Sequence, residues 1–179
     1  MPDEGGASGL VFRRLVAADL PRLHEWLGRT HVAEWWGPPP SLAEVHAHHA
    51  PRLGDDGRVR GWIAMLDGEP VAFVQDYDVA GGDDGWWPDE SDPGARGIDQ
   101  FIADDARLGR GLGTRLVRAF VDQLFADPRV TRVQADPSPS NARAIACYER
   151  AGFHRVGEVD TPDGRALLMR RDRVAASVG

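Results

Sequence analysis

Three glycines alternate through Gly109-Arg110-Gly111-Leu112-Gly113-Thr114, directly ahead of an apolar helical stripe. A strand that turns through such a segment into a helix exposes unpaired backbone N–H groups at the positive end of the helix dipole, where a pyrophosphate can be held. Without Cβ atoms the backbone can come close to the anion. Arg107, Arg110, Arg115 and Arg118 add cations to an otherwise acidic neighbourhood. No Gly-Lys-Ser/Thr follows, so this is not a P-loop, and the G-x-G-x-x-G spacing of a dinucleotide fold is absent. Coenzyme A is the phosphate-bearing ligand that remains. A second segment carries the opposite charge. Between residues 83 and 105 stand Asp83, Asp84, Asp89, Glu90, Asp92, Asp99, Asp104 and Asp105 against the single base Arg96, with Trp86 and Trp87 among them. Carboxylates beside aromatic faces suit a cationic ligand.

Several elements must position these residues. Val11 to Leu15 reads as a short strand, and Asp19 to Leu27 as an amphipathic helix with Leu20, Leu23 and Leu27 on one face. Glu34-Trp35-Trp36-Gly37-Pro38-Pro39-Pro40 is expected to be a loop, followed by a helix capped by Ser41 and running to about His49. Val59 to Leu66 and Val71 to Val79 form a hairpin about the turn Asp67-Gly68-Glu69-Pro70. Gly81 to Gly94 is a long loop, and Arg96 to Ala103 returns as a strand. The glycine turn then opens a helix through Phe125, whose Leu112, Leu116, Val117, Phe120, Val121, Leu124 and Phe125 make a broad buried stripe. Val130 to Gln134 is a strand, Asn141 to Arg150 a helix ended by Gly152, and Phe153 to Val159 with Ala166 to Arg170 a closing hairpin. The class is mixed α/β.

Leu108-Gly109-Arg110-Gly111-Leu112-Gly113-Thr114 resembles the pyrophosphate loop of the GNAT N-acetyltransferases, Gln/Arg-x-x-Gly-x-Gly/Ala. The glycines match. Leu108 departs at the first position, with Arg107 one residue early, which leaves the usual side-chain contact there open. Asn141-Ala142-Arg143-Ala144-Ile145-Ala146-Cys147-Tyr148-Glu149-Arg150-Ala151-Gly152-Phe153 resembles the second GNAT signature, N-x-x-A-x-x-x-Y-x-x-x-G-F, in full. Glu34-Trp35-Trp36-Gly37, Asp84-Gly85-Trp86-Trp87, Asp92-Pro93-Gly94, Arg96-Gly97-Ile98-Asp99-Gln100 and Asp136-Pro137-Ser138-Pro139-Ser140-Asn141 are together similar to one branch, the aminoglycoside 6'-N-acetyltransferases. The likeness spans about Val11 to Arg171.

This resemblance implies one GNAT domain over residues 9–173, between tails 1–8 and 174–179, built on a mixed, mostly antiparallel sheet flanked by helices. It implies Asp99 as the carboxylate at the acceptor amine and Tyr148 as proton donor to the departing thiolate. Acetyl-CoA would be held by Ile102, Leu108, Gly109, Arg110, Gly111, Gly113, Thr114, Asn141 and Ala144, and the aminoglycoside by Trp36, Tyr77, Asp84, Trp87, Asp99 and Asp136. These roles make chemical sense. An amine attacks only when neutral, so a carboxylate that binds the ammonium must also help remove its proton. A free aspartate, with a pKa of about 3.9, takes that proton uphill, so Asp99 acts either through a water molecule or as an orienting group. Tyr148, with an ordinary pKa of about 10, is matched to a CoA thiolate.

Composition narrows the rest. A chain of 179 residues with a net charge of −7 does not suit general nucleic-acid binding. Its longest apolar runs are too short to cross a bilayer, and a single cysteine cannot form an internal disulfide, so a cytoplasmic protein that binds no membrane is expected, as monomer or homodimer. His46-Ala47-His48-His49 is expected on a solvated surface rather than as a metal site, and Cys147 as a packing residue rather than a nucleophile. Two other readings stay open: a GNAT enzyme for another amine, such as a siderophore lysine, a polyamine or a protein, and a CoA-binding sensor without turnover.

Overall fold

The computed structural model describes residues 9–54, 57–82 and 85–175. Seven strands are hydrogen-bonded in the order β1-β2-β3-β4-β5-β7-β6, and five helices accompany them. The strands are β1 (Leu10–Arg14), β2 (Val59–Leu66), β3 (Glu69–Asp78), β4 (Ala95–Ile102), β5 (Arg132–Ala135), β6 (His154–Thr161) and β7 (Gly164–Asp172). The helices are α1 (Leu20–Leu27), α2 (Thr30–Trp36), α3 (Leu42–His49), α4 (Leu112–Phe125) and α5 (Ala142–Arg150). β1 with β2, β5 with β7 and β6 with β7 pair antiparallel, whereas β4 and β5 pair parallel. The expected mixed, mostly antiparallel sheet is what the chain forms. Two compact units divide it, Met1–Gln75 with Gln100–Leu108, and Asp76–Asp99 with Gly109–Gly179.

The first unit closes around Leu15, Leu20, Leu23, Trp26, Val32, Val45, Ile63, Phe73, Phe101 and Ala103. α1 begins with Pro21 in its first turn, where a missing N–H costs nothing, and buries Leu20, Leu23 and Trp26. Asp19 is 2% exposed and takes a two-pronged ion pair from Arg13 at 2.6 and 2.7 Å. Ser41 caps α3, as its sequence predicts, and Glu44 completes a capping box with it. Two expectations are corrected. Glu34 to Trp36 are not loop but the last turn of α2; the prolines begin only after Gly37, which ends the helix at φ +89°. The histidine run is not wholly solvated. His49 shares a helix face with the buried Val45, is 6% exposed, and packs edge-on to Phe73 at 5.7 Å. Burial, followed by the charges of His48 and Arg52, pushes its pKa down to about 4.

In the second unit α4 buries Leu112, Leu116, Val117, Phe120 and Val121 of the stripe read from its spacing, leaves Leu124 and Phe125 only half-buried where a buried face was expected, and packs with α5. Every cation in its ion pairs is an arginine, because the sequence contains no lysine.

Candidate active site

Gly109 and Gly111 stand at φ +69° and +81°, and a Cβ built on either would meet nothing within 4 Å. They form an open backbone cradle, with Gly111 as N-cap of the fourteen-residue α4. A cleft of about 840 Å³ opens beside it, lined by Gly109, Gly111, Thr114, Arg115, Arg118, Ala119, Asp122 and Arg150. Its one acid, Asp122, is paired with Arg171 at 3.1 Å. Among the described residues Arg110, Arg115, Arg118 and Arg150 have no carboxylate partner, and Arg118 donates instead to the carbonyl of Arg150. Four uncompensated guanidinium groups around a helix N-terminus, in a chain of net charge −7, fit the phosphates of coenzyme A. Thr114 also donates its hydroxyl to Cys147 Sγ at 3.8 Å. Burial pushes the Cys147 thiol pKa up, opposed by that hydrogen bond and by Arg150, so the sulfur is no activated nucleophile.

The carboxylates gather in the same unit. The N–H of Val79 donates to the Ala95 carbonyl, so Tyr77 lies across from Gly97 on the neighbouring strand. A Cβ on Gly97 would fall 2.1 Å from Tyr77 Cζ: the phenol lies flat across the place where a side chain would stand. Gly97 is in register with Gln134 of β5, and Gln134 with Arg170 of β7. Two residues beyond this row come Asp99 on β4 and Asp136 just past the end of β5. Tyr77's hydroxyl is held well above its ordinary pKa, first by burial, then by the charges of Asp99 and Asp136, with a smaller push from Tyr148 and an opposing pull from the Trp87 indole N–H. That indole nitrogen is buried, yet no acceptor meets it in full hydrogen-bond geometry. Asp136 keeps part of its surface in water, but burial, then Asp99 and Asp163, push its pKa up to about 8.

Tyr148 is 5% exposed on α5, its ring 5.2 Å from Phe153. Asp99, Tyr77, Trp87, Asp136 and Tyr148 therefore share one patch. Asn141 spends its Oδ1 on the Ala144 N–H at 3.1 Å, capping α5, and Gly113 lies in the first turn of α4. Three expected residues belong to the first unit. Trp36 packs edge-on to Phe73 and Phe101 with centroids 5.9 and 5.0 Å away. The Ile102 carbonyl accepts from His31 Nε2 at 2.8 Å, and Leu108 follows the short 3-10 turn Asp105–Arg107. Asp84 lies outside the described residues. Sequence reasoning missed Asp163, Glu90, Arg132 and Arg170. The period-two series Arg132-x-Gln134-x-Asp136 was the available signal, since it puts three polar side chains on one face of a strand.

A family model described as acetyltransferase (GNAT) domain matches residues 16–161. The aminoglycoside N(6')-acetyltransferase type 1 of Klebsiella pneumoniae is 52% identical over 169 residues, 93% of this chain and 84% of that protein. The lysine N-acyltransferase MbtK of Mycolicibacterium paratuberculosis is 31% identical over 160 residues, 89% of this chain and 71% of that one. Among solved structures, the aminoglycoside acetyltransferase AAC(6')-Ib in complex with coenzyme A and kanamycin superposes with a TM-score of 0.87 at 52% identity, covering 92% of this chain and 95% of that one.

Proposed function

The chain belongs to the GNAT acetyltransferase family, and we propose that it transfers the acetyl group of acetyl-CoA to the 6'-amine of an aminoglycoside. The observation that carries this reading is the gathering of Asp99 and Asp136 beside Tyr77, where burial, and then the charges of Asp99 and Asp163, push the Asp136 pKa up to about 8. An aminoglycoside brings several ammonium groups to meet these carboxylates, and the Trp87 and Tyr77 rings offer apolar faces to its sugars. The likeness to relatives that act on such drugs points the same way.

Acetyl-CoA supplies the activated thioester. Gly109, Gly111 and the free N–H groups of α4 would hold its pyrophosphate, with Arg115, Arg118 and Arg150 meeting the remaining phosphate charge. Asp99 orients the acceptor ammonium and takes its proton directly or through water, which leaves a neutral nitrogen able to attack the thioester carbonyl. As the tetrahedral intermediate collapses its C–S bond breaks, and Tyr148 gives its hydroxyl proton to the departing sulfur and regains one from the nitrogen that becomes the amide; because the amine attacks the thioester directly, no covalent adduct of the protein forms. Residues 9–173 would form the catalytic domain, working in the cytoplasm.

The test is thiol release from acetyl-CoA with kanamycin and tobramycin, comparing the wild type with Asp99→Ala and Tyr148→Phe and mapping the modified nitrogen by NMR. Turnover at the 6'-amine should fall roughly a hundredfold to ten-thousandfold in each variant. Intact CoA binding without turnover of any aminoglycoside overturns the proposal. A lysine-type amine is the second reading, favoured by the likeness to the lysine N-acyltransferase; a monoamine preferred over kanamycin would establish it.

A further inference from the structure

Trp87 is held in a conformation that its own chemistry resists. Its φ is +59°, in the left-handed region, and it precedes Pro88, which further restricts its backbone. Something must hold it there. Trp87-Pro88-Asp89-Glu90 is a β-turn closed by the Glu90 N–H donating to the Trp87 carbonyl at 3.1 Å, so the placement of Trp87 follows that of Glu90. Pro88 and Asp89 are exposed, whereas the Glu90 side chain is only 8% exposed.

Both oxygens of that carboxylate are engaged. Oε1 accepts the Asp92 N–H at 2.9 Å, while Oε2 lies 3.3 Å from Arg170 Nη2 and 3.5 Å from Arg132 Nη1. Arg170 lies on the cross-strand row that runs through Gln134 to Gly97, the residue Tyr77 covers, and Arg132 shares the β5 face with Gln134. The far side of the loop is tied down separately, with Asp92 accepting from Thr131 Oγ1 at 2.6 Å and Thr131 N–H donating to Gly94 at 3.0 Å.

We propose that Glu90 is a positioning residue for acceptor recognition: locked between Arg132 and Arg170, it fixes the turn that carries Trp87 against Tyr77. Glu90 touches neither the amine nor the thioester. Its carboxylate holds an aromatic wall in a strained shape before the acceptor arrives, so binding does not have to order that wall. This rests on the aminoglycoside reading of the same site.

The test is Glu90→Gln, with steady-state kinetics for both substrates and amide hydrogen exchange. The Michaelis constant for kanamycin should rise roughly tenfold, while kcat and the constant for acetyl-CoA stay within about twofold. Exchange should quicken in residues 85–94 and not in α4. The variant leaves the half-buried Arg170 guanidinium without its carboxylate, while Arg132 keeps Asp92 and Asp172, so Glu90→Gln/Arg170→Gln is made alongside it and should show the same split with less loss of stability. The inference is overturned if a folded variant keeps its kanamycin constant, or if both substrate constants rise together as they would from general loosening. A wild-type protein that acetylates no aminoglycoside overturns the functional reading first, a different result from an active wild type and an unaltered variant.

Discussion

Asp136→Asn should stabilise the unliganded protein at neutral pH and cripple its use of the acceptor. The Asp136 carboxyl titrates at about 8 in the fold, raised first by burial and then by Asp99 and Asp163, against about 3.9 in an unfolded chain. Below pH 4 both states carry the proton, and the group costs the fold nothing. As pH rises the unfolded chain ionises while the folded one keeps its proton, so stability is lost progressively from about pH 4 up to about pH 8 and is flat beyond. Three units of mismatch at pH 7 set a ceiling of about 4 kcal/mol. Partial exposure and the sharing of charge with Asp99 reduce this to about 2 kcal/mol. For a chain of this size that corresponds to a Tm higher by roughly 4–8 °C in the variant. Urea denaturation at pH 4.5, 7 and 8.5 measures it: the two proteins should nearly coincide at the lowest pH and separate in the variant's favour as pH rises. A gap that does not widen with pH, or one favouring the wild type at pH 8.5, would refute the reasoning. The same variant should show a kanamycin Michaelis constant raised at least tenfold, the usual exchange of stability for a charged binding site.

Gly97→Ala puts a methyl group 2.1 Å from Tyr77 Cζ, so it should cost about 1–3 kcal/mol by overpacking and lower kcat/KM for the acceptor; equal thermal midpoints for the two proteins would show that Tyr77 yields freely. Gly111→Ala meets no steric neighbour, but its φ of +81° disfavours any L side chain, so a loss of about 1–2 kcal/mol is expected, together with a higher Michaelis constant for acetyl-CoA and an unchanged one for kanamycin. His49, with its pKa pushed down to about 4, is buried neutral. Its contribution is complete above about pH 6.5 and is lost as pH falls toward 4, so His49→Leu should flatten that limb of the stability curve, as read by thermal melts between pH 4 and 7.

Much of this architecture was legible because the informative residues are close in sequence. The alternating glycines, the α4 stripe and the Asn141 cap are local patterns, and each produces the element its spacing predicts. α2 escaped because Trp35, Trp36 and Gly37 lead into three prolines, whose prohibition on helix extends only one residue upstream, while one buried residue, Val32, is too little to announce seven helical ones. His49 could have been found four residues after Val45. The Glu90 clamp could not, since its partners lie 42 and 80 residues away and only sheet register brings them together. Tyr77 and Gly97 likewise become one feature only after β3 and β4 are aligned.

The all-arginine inventory has a consequence for a protein that handles a reactive acyl donor. A lysine side chain is a primary amine of the kind that an acyl thioester modifies, and an acidic patch like that around Asp99 and Asp136 would attract it. Guanidinium groups, with pKa values above about 12, keep their protons and are poor nucleophiles. Because all 21 Lys and Arg positions are arginine, neither the guanidinium groups that line the cleft nor those that pair with Glu90 can compete for the acetyl group. The molecule contains no side-chain amine that the thioester could modify, so an acetylated lysine found after turnover belongs to another protein.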